Sequence, residues 1–279
     1  MNNNKNNIKS VLAFGIFELK DLGNPALEAE ILLMNVIDKD RVFFRTNSDY
    51  ELTKEETGLY KKFIQQRSQC IPVAYIIGYK NWAGLKIKVD ENVLIPRDET
   101  EVLVQEIVKS HLSPSFKEIF KILDIGTGSG CISLYLAKNL PDSAITCLDI
   151  SEKALNIAQQ NIKAQNIKAT LVASDLLEQI PDNTYFDIIV ANLPYVPQNL
   201  EVTKDLSYEP SGAIFSGDDG LDHIRRLASD IEAKNIKFGS LWLEFLPSQK
   251  KEIEKIFKEY EIEFFTDSGG DVFFAKICS

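Results

Sequence analysis

Between residues 120 and 245, short runs rich in β-branched and apolar residues alternate with helical stretches, and few architectures accept that alternation. The runs are Phe120 to Asp124, Ala144 to Asp149, Thr170 to Ala173, Phe186 to Ala191 and Ser240 to Phe245. Strands joined through helices run parallel, so the expected fold is α/β, a mostly parallel sheet covered by helices on both faces. Two last runs, Glu261 to Thr266 and Val272 to Ile277, are separated only by Asp267-Ser268-Gly269-Gly270-Asp271 and predict a closing antiparallel hairpin.

The start of the chain has a different texture. Asn24 before Pro25 reads as an N-cap with proline at the first helical position, followed by Ala26, Leu27, Ala29, Ile31, Leu32, Leu33 and Val36. Thr53 with Glu56 forms a capping box ahead of Leu59, Tyr60, Phe63 and Ile64. Residues 1–71 are therefore expected to form a helical bundle. From Pro72, Ala74-Tyr75-Ile76-Ile77-Gly78, Trp82 and Leu85-Lys86-Ile87-Lys88-Val89 look like short strands, predicting a β-hairpin linker over 72–95. Asp98 to Lys109 reads as a helix that opens a catalytic domain over 96–279. Phe43, Phe44 and Trp82 are expected in the core.

Charge follows the same division. Residues 1 to 75 carry ten basic and ten acidic side chains, so the net charge of −10 belongs to the remainder. A protein that tracks nucleic acid normally presents a basic stripe, and extended DNA or RNA is not expected as a partner. The first seven residues include five asparagines, and no apolar run approaches the length that spans a bilayer, which predicts a cytoplasmic protein without membrane contact. Cys70, Cys131, Cys147 and Cys278 form no C-x-x-C pair and read as reduced, mostly core thiols, while His111 and His223 lack companions at ligand spacing and read as surface or helix-end residues. No metal site is expected.

Two motifs carry chemistry. Asp124-Ile125-Gly126-Thr127-Gly128-Ser129-Gly130 falls where a strand turns into a helix, a place where glycines let a ligand approach the backbone. Asp149 ends the next strand, where a carboxylate can accept both hydroxyls of a ribose. The second motif, Asn192-Leu193-Pro194-Tyr195, follows the fourth strand. A reaction at a planar amide or amino nitrogen requires its lone pair to be freed from conjugation, so acceptors must hold the N–H hydrogens. The Asn192 side-chain oxygen and the Leu193 carbonyl can do so, Pro194 fixes the turn and Tyr195 offers a face to the planar group. The tetrapeptide alone does not say which planar nitrogen would be held.

The glycine loop resembles motif I of the class I methyltransferases, a Rossmann-like fold that binds S-adenosylmethionine. Ile95-Pro96-Arg97 with Thr100-Glu101, Ala74 to Gly78, Tyr208-Glu209-Pro210 and Asp219-Gly220-Leu221 extend the likeness across nearly the whole chain. Together they resemble the peptide chain release factor glutamine methyltransferases, the PrmC or HemK family. The resemblance implies that Asp124, Gly126, Thr127, Gly128, Ser129, Gly130, Asp149, Asp175, Leu176 and Asn192 hold S-adenosylmethionine. It also implies that Arg97 joins Asn192, Leu193, Pro194 and Tyr195 around the substrate, with Asn192, Pro194 and Tyr195 catalytic. The implied substrate is the glutamine of the Gly-Gly-Gln loop of class I release factors, with the helical bundle as its recognition domain. Glutamine methyltransferases of a ribosomal protein and rRNA adenine methyltransferases are the alternatives.

Overall fold

The computed structural model describes residues 6–111, 119–266, 269–270 and 273–278. The chain divides into two compact units, the first residues 1–78 with 203–208 and the second residues 79–202 with 209–279.

The first unit contains α1 (Ile8–Glu18), α2 (Pro25–Ile37), α3 (Arg41–Thr46), α4 (Lys54–Ser68) and α5 (Val73–Ile77). The Thr53–Glu56 capping box forms in both directions, at 3.1 and 2.7 Å. Pro25 opens α2, but Asn24 makes no side-chain cap, so the fixed φ of proline sets this start. Ala29, Leu32, Leu33, Tyr60 and Ile64 are buried together with Phe44, and Phe43 packs on the cluster's edge. Gly15 permits a close approach of α1 to α4, since a Cβ there would strike the Tyr60 hydroxyl. The segment Val73–Ile77 is a helix rather than the expected strand. Five residues are too few to show a helical period, and Val73, Ile76 and Ile77 turn onto the bundle core.

The second unit begins with a hairpin of β1 (Tyr79–Trp82) and β2 (Leu85–Lys88). Ala83 and Gly84 both take positive φ, 47° and 75°, the twist that a two-residue turn between paired strands requires. Then follow α6 (Thr100–His111), β3 (Lys121–Ile125), α7 (Cys131–Asn139), β4 (Ala144–Asp149), α8 (Glu152–Ala164), β5 (Thr170–Ala173) and β6 (Tyr185–Ala191). The chain ends with α9 (Asp222–Ala233), β7 (Lys237–Phe245), α10 (Lys250–Ile256), β8 (Glu261–Thr266) and β9 (Phe273–Cys278). One seven-stranded sheet has the order β5-β4-β3-β6-β7-β9-β8. Its first five strands are parallel, and β9 runs antiparallel to both β7 and β8. The expected closing hairpin is thus present, although part of its connecting loop and Val272 lie outside the described residues.

Both faces of the central strands are covered, which is why Ile122, Leu123 and Ile125 and the run Ile188, Ile189 and Val190 are buried without alternation. The chain leaves β3 toward β4 on one side and later fills the other side with β6. The carboxyl ends of β3 and β6 therefore flank a topological switch point, where open α/β sheets form their binding crevice.

Candidate active site

At that crevice lies a cavity of about 250 Å³, walled by the loop after β3, by Asp149 and Ile150 after β4, by Asp175 and Leu176 after β5 and by Asn192 after β6. Gly126, Gly128 and Gly130 take positive φ of 73°, 55° and 81°, a bend closed to β-branched residues. Gly130 also lets α7 approach α8, since a Cβ there would lie 3.3 Å from that of Ala158.

Asp124 braces this loop from beneath. It is fully buried, and its Oδ2 accepts the hydroxyls of Thr127 at 2.7 Å and Ser133 at 2.6 Å. Its Oδ1 has no partner among the described residues, and burial pushes the carboxyl up to about 6. Asp149 holds the loop from the side. Its Oδ2 accepts the Gly128 N–H and its Oδ1 the Ser151 N–H, each at 2.8 Å, while Ser151 caps α8. A carboxylate offers about four lone-pair positions, so about two remain for further donors.

Leu176 is held at φ 48°, a strained conformation for leucine, by a turn in which the Ser174 hydroxyl donates to the Leu176 carbonyl at 2.8 Å. The turn sets Leu176 against the cavity. Asp175 starts no helix; it pairs with Arg226 at 2.9 Å.

The tetrapeptide is anchored by residues that sequence motifs did not reveal. Glu244, near the end of β7, is 1% exposed; its Oε2 accepts from Thr100 Oγ1 at 2.8 Å and from Asn192 Nδ2 at 3.1 Å. Its Oε1 accepts from the Tyr195 hydroxyl at 2.8 Å. Burial raises the pKa of Glu244, and the three donors oppose that rise. Gln249 donates from Nε2 to the carbonyls of Tyr195 and Asp219, both at 2.8 Å. Gly220 must be glycine here, because a Cβ would collide with the Tyr195 carbonyl. Asn161, also unforeseen, donates to Ser129 O and exchanges bonds with Lys88, tying β2 and α8 to the glycine loop.

The Ile95-Pro96-Arg97 and Thr100-Glu101 residues act mainly as braces. Glu209 accepts the Ile95 N–H at 2.8 Å and Arg97 Nη2 at 2.7 Å. The Arg97 carbonyl accepts from buried Trp82 at 2.6 Å, and Glu101 accepts the Ala83 N–H at 2.7 Å. Arg97 nonetheless borders the cavity.

Of the predicted site residues, Arg97, Gly126, Thr127, Gly128, Ser129, Asp149, Asp175, Leu176, Asn192, Leu193 and Pro194 line this one cavity. Asp124 braces the loop from beneath, Gly130 packs against Ala158, and the Tyr195 hydroxyl is bound to Glu244. His223 stands in the first turn of α9, a helix end as expected; it is half-buried, borders the cavity and pairs through Nδ1 with Ser216 Oγ at 2.6 Å. Cys131 and Cys147 are buried, and their thiols are pushed up to about 12, which keeps them protonated and unreactive.

Residues 98–209 match the methyltransferase small domain, and residues 10–78 match the PrmC N-terminal domain. The release factor glutamine methyltransferase of Rhodopirellula baltica is 37% identical over 239 residues, which cover 83% of this chain and 80% of that protein. The corresponding protein of Buchnera aphidicola is 37% identical over 271 residues, covering 95% of this chain and 96% of its own length. A solved human methyltransferase 10 domain containing protein shares the fold with a TM-score of 0.51 at 18% identity, covering 70% of this chain and 88% of that one.

Proposed function

Since the chain belongs to the release factor glutamine methyltransferases, an enzyme family with the class I methyltransferase fold, we propose that it methylates the side-chain amide nitrogen of the glutamine in the Gly-Gly-Gln loop of class I release factors. The methyl donor in this reading is S-adenosylmethionine, which supplies a methyl group on a positively charged sulfur. The reaction is placed in the cytoplasm. No helix among the described residues is long and apolar enough to cross a membrane.

The cavity fits that cofactor. The glycine loop leaves room for a ligand against the backbone, Asp149 retains acceptor capacity for a ribose, and Leu176 with Ile150 offers apolar contact for a flat base. Asp175 would accept from the base edge while paired with Arg226.

The observation that carries the substrate reading is the sense of the Asn192 amide. Its nitrogen is bound to Glu244 and Thr100, and its Oδ1 accepts nothing from the described residues. That oxygen and the Leu193 carbonyl would accept the two N–H groups of a planar amide and hold its nitrogen lone pair toward the donor. Tyr195, its hydroxyl fixed by Glu244, supports the tetrapeptide. Positioning, not a titrating base, then does the catalytic work.

The direct test incubates the protein with methyl-labelled cofactor and separate pools of release factor, ribosomal protein and rRNA. Label is expected on release factor alone; label on rRNA adenine with an unmodified release factor defeats the reading. Asn192→Ala should lower turnover by about a hundredfold while leaving cofactor affinity nearly unchanged, because the lost acceptor matters most in the transition state. Asp149→Ala should do the reverse, weakening cofactor binding by about 1–3 kcal/mol in calorimetry.

A further inference from the structure

The donors Thr100, Tyr195 and Asn192 favour the ionised form of Glu244 against its burial, and in that form the carboxylate only accepts hydrogen bonds and dictates the direction of the buried chain it ends. Thr100 Oγ1 donates its one hydrogen to Glu244 Oε2, leaving its lone pairs as the only groups it can turn to Asn192. Asn192 Nδ2 then meets two acceptors at once, Glu244 Oε2 at 3.1 Å and Thr100 Oγ1 at 3.3 Å. Rotating the Asn192 amide by half a turn would place its oxygen against both of them, acceptor on acceptor, beside the buried side chains of Thr100 and Glu244. These residues come from the start of α6, the end of β6 and the end of β7, so three elements converge on one amide group.

We propose that Thr100 and Glu244 are positioning residues that lock the sense of the Asn192 amide, so that Oδ1, and not Nδ2, faces the substrate nitrogen. Without the lock the flipped amide would present hydrogens to the hydrogens of the substrate and repel it in the productive pose. Glu244 also takes the Tyr195 hydroxyl at 2.8 Å, so the same carboxylate fixes both ends of the tetrapeptide. This inference rests on the reading that Asn192 Oδ1 accepts a substrate N–H.

The test uses the full-length protein, methyl transfer to intact release factor, and calorimetric affinity for the demethylated cofactor. Thr100→Val keeps the shape but removes the relayed acceptor, and should lower turnover about tenfold with cofactor affinity changed less than about twofold. Glu244→Leu should lower it further; should that variant fail to fold, Thr100→Val decides alone. In an Asn192→Ala background, where there is no amide left to orient, each substitution should cost less than about twofold more. Equal losses in both backgrounds, or a Thr100→Val protein within about twofold of wild type while Asn192→Ala is severely impaired, would overturn the lock alone. Near-normal turnover of Asn192→Ala would overturn the substrate reading beneath it.

Discussion

Asp124 shows how a single buried side chain can be kept at a cost to stability. Its carboxyl, ordinarily near 3.8, is pushed up to about 6 by burial, against the pull of the Ser133 and Thr127 hydroxyls. The folded protein thus holds this proton more tightly than the unfolded chain. The favourable contribution is complete below the unfolded value and disappears as pH rises through the folded one. Wild type should lose stability relative to Asp124→Asn between about pH 4 and pH 6, by on the order of 3 kcal/mol for a shift of this size. Urea unfolding of both proteins across that window checks it; a pH-independent difference refutes it. Leu193 makes a complementary case, because only its carbonyl is asked to act. Leu193→Pro should keep turnover within about threefold and cost about 1–3 kcal/mol of stability, since the leucine side chain is buried against Gly126.

The elements were unequally legible. Parallel strands announce themselves because burial on both faces makes them continuously apolar, and Ala144–Asp149 and Thr170–Ala173 have the bounds that the sequence predicts. The glycine loop and the tetrapeptide were visible because their chemistry is local. Glu244 was not, because its partners Thr100, Asn192 and Tyr195 stand 144, 52 and 49 residues away and nothing near it in sequence marks a charged residue for burial. Gln249 and Asn161 escaped for the same reason. The Asp219-Gly220-Leu221 segment was noticed only as a likeness, yet its physical role is clear once Gly220 is seen pressed on the Tyr195 carbonyl. Gly220→Ala should lower both turnover, by about tenfold or more, and the melting temperature, because the added methyl must displace the tetrapeptide or break a φ of 80°. Activity and thermal melts at equal cofactor saturation test this, and an unchanged enzyme would show the loop to be free of the tetrapeptide.

Across the whole molecule, the first unit is held from within by Arg67. Buried at 3% exposure, its guanidinium donates to Glu28 at 2.8 and 3.0 Å, to Asp205 at 2.6 Å and to the Ile71 carbonyl at 3.2 Å. We propose that this unit recognises the body of the release factor, beyond its methylated loop. Arg67→Ala should then cost about 3–5 kcal/mol of stability by leaving two carboxylates without their cation, and raise KM for intact release factor while a short Gly-Gly-Gln peptide is turned over as before. An unchanged KM for the intact protein would confine the unit to a structural part. Asp205 belongs to a stretch, residues 203–208, that the chain lends to the first unit between Val202 and Glu209 of the second. A hybrid enzyme spliced from two relatives at a single junction near Gly78 would inherit Arg67 from one parent and its acidic counterpart from the other. Only a graft that carries both stretches together would transfer the first unit intact, so in any recombination experiment the two must travel as one cassette.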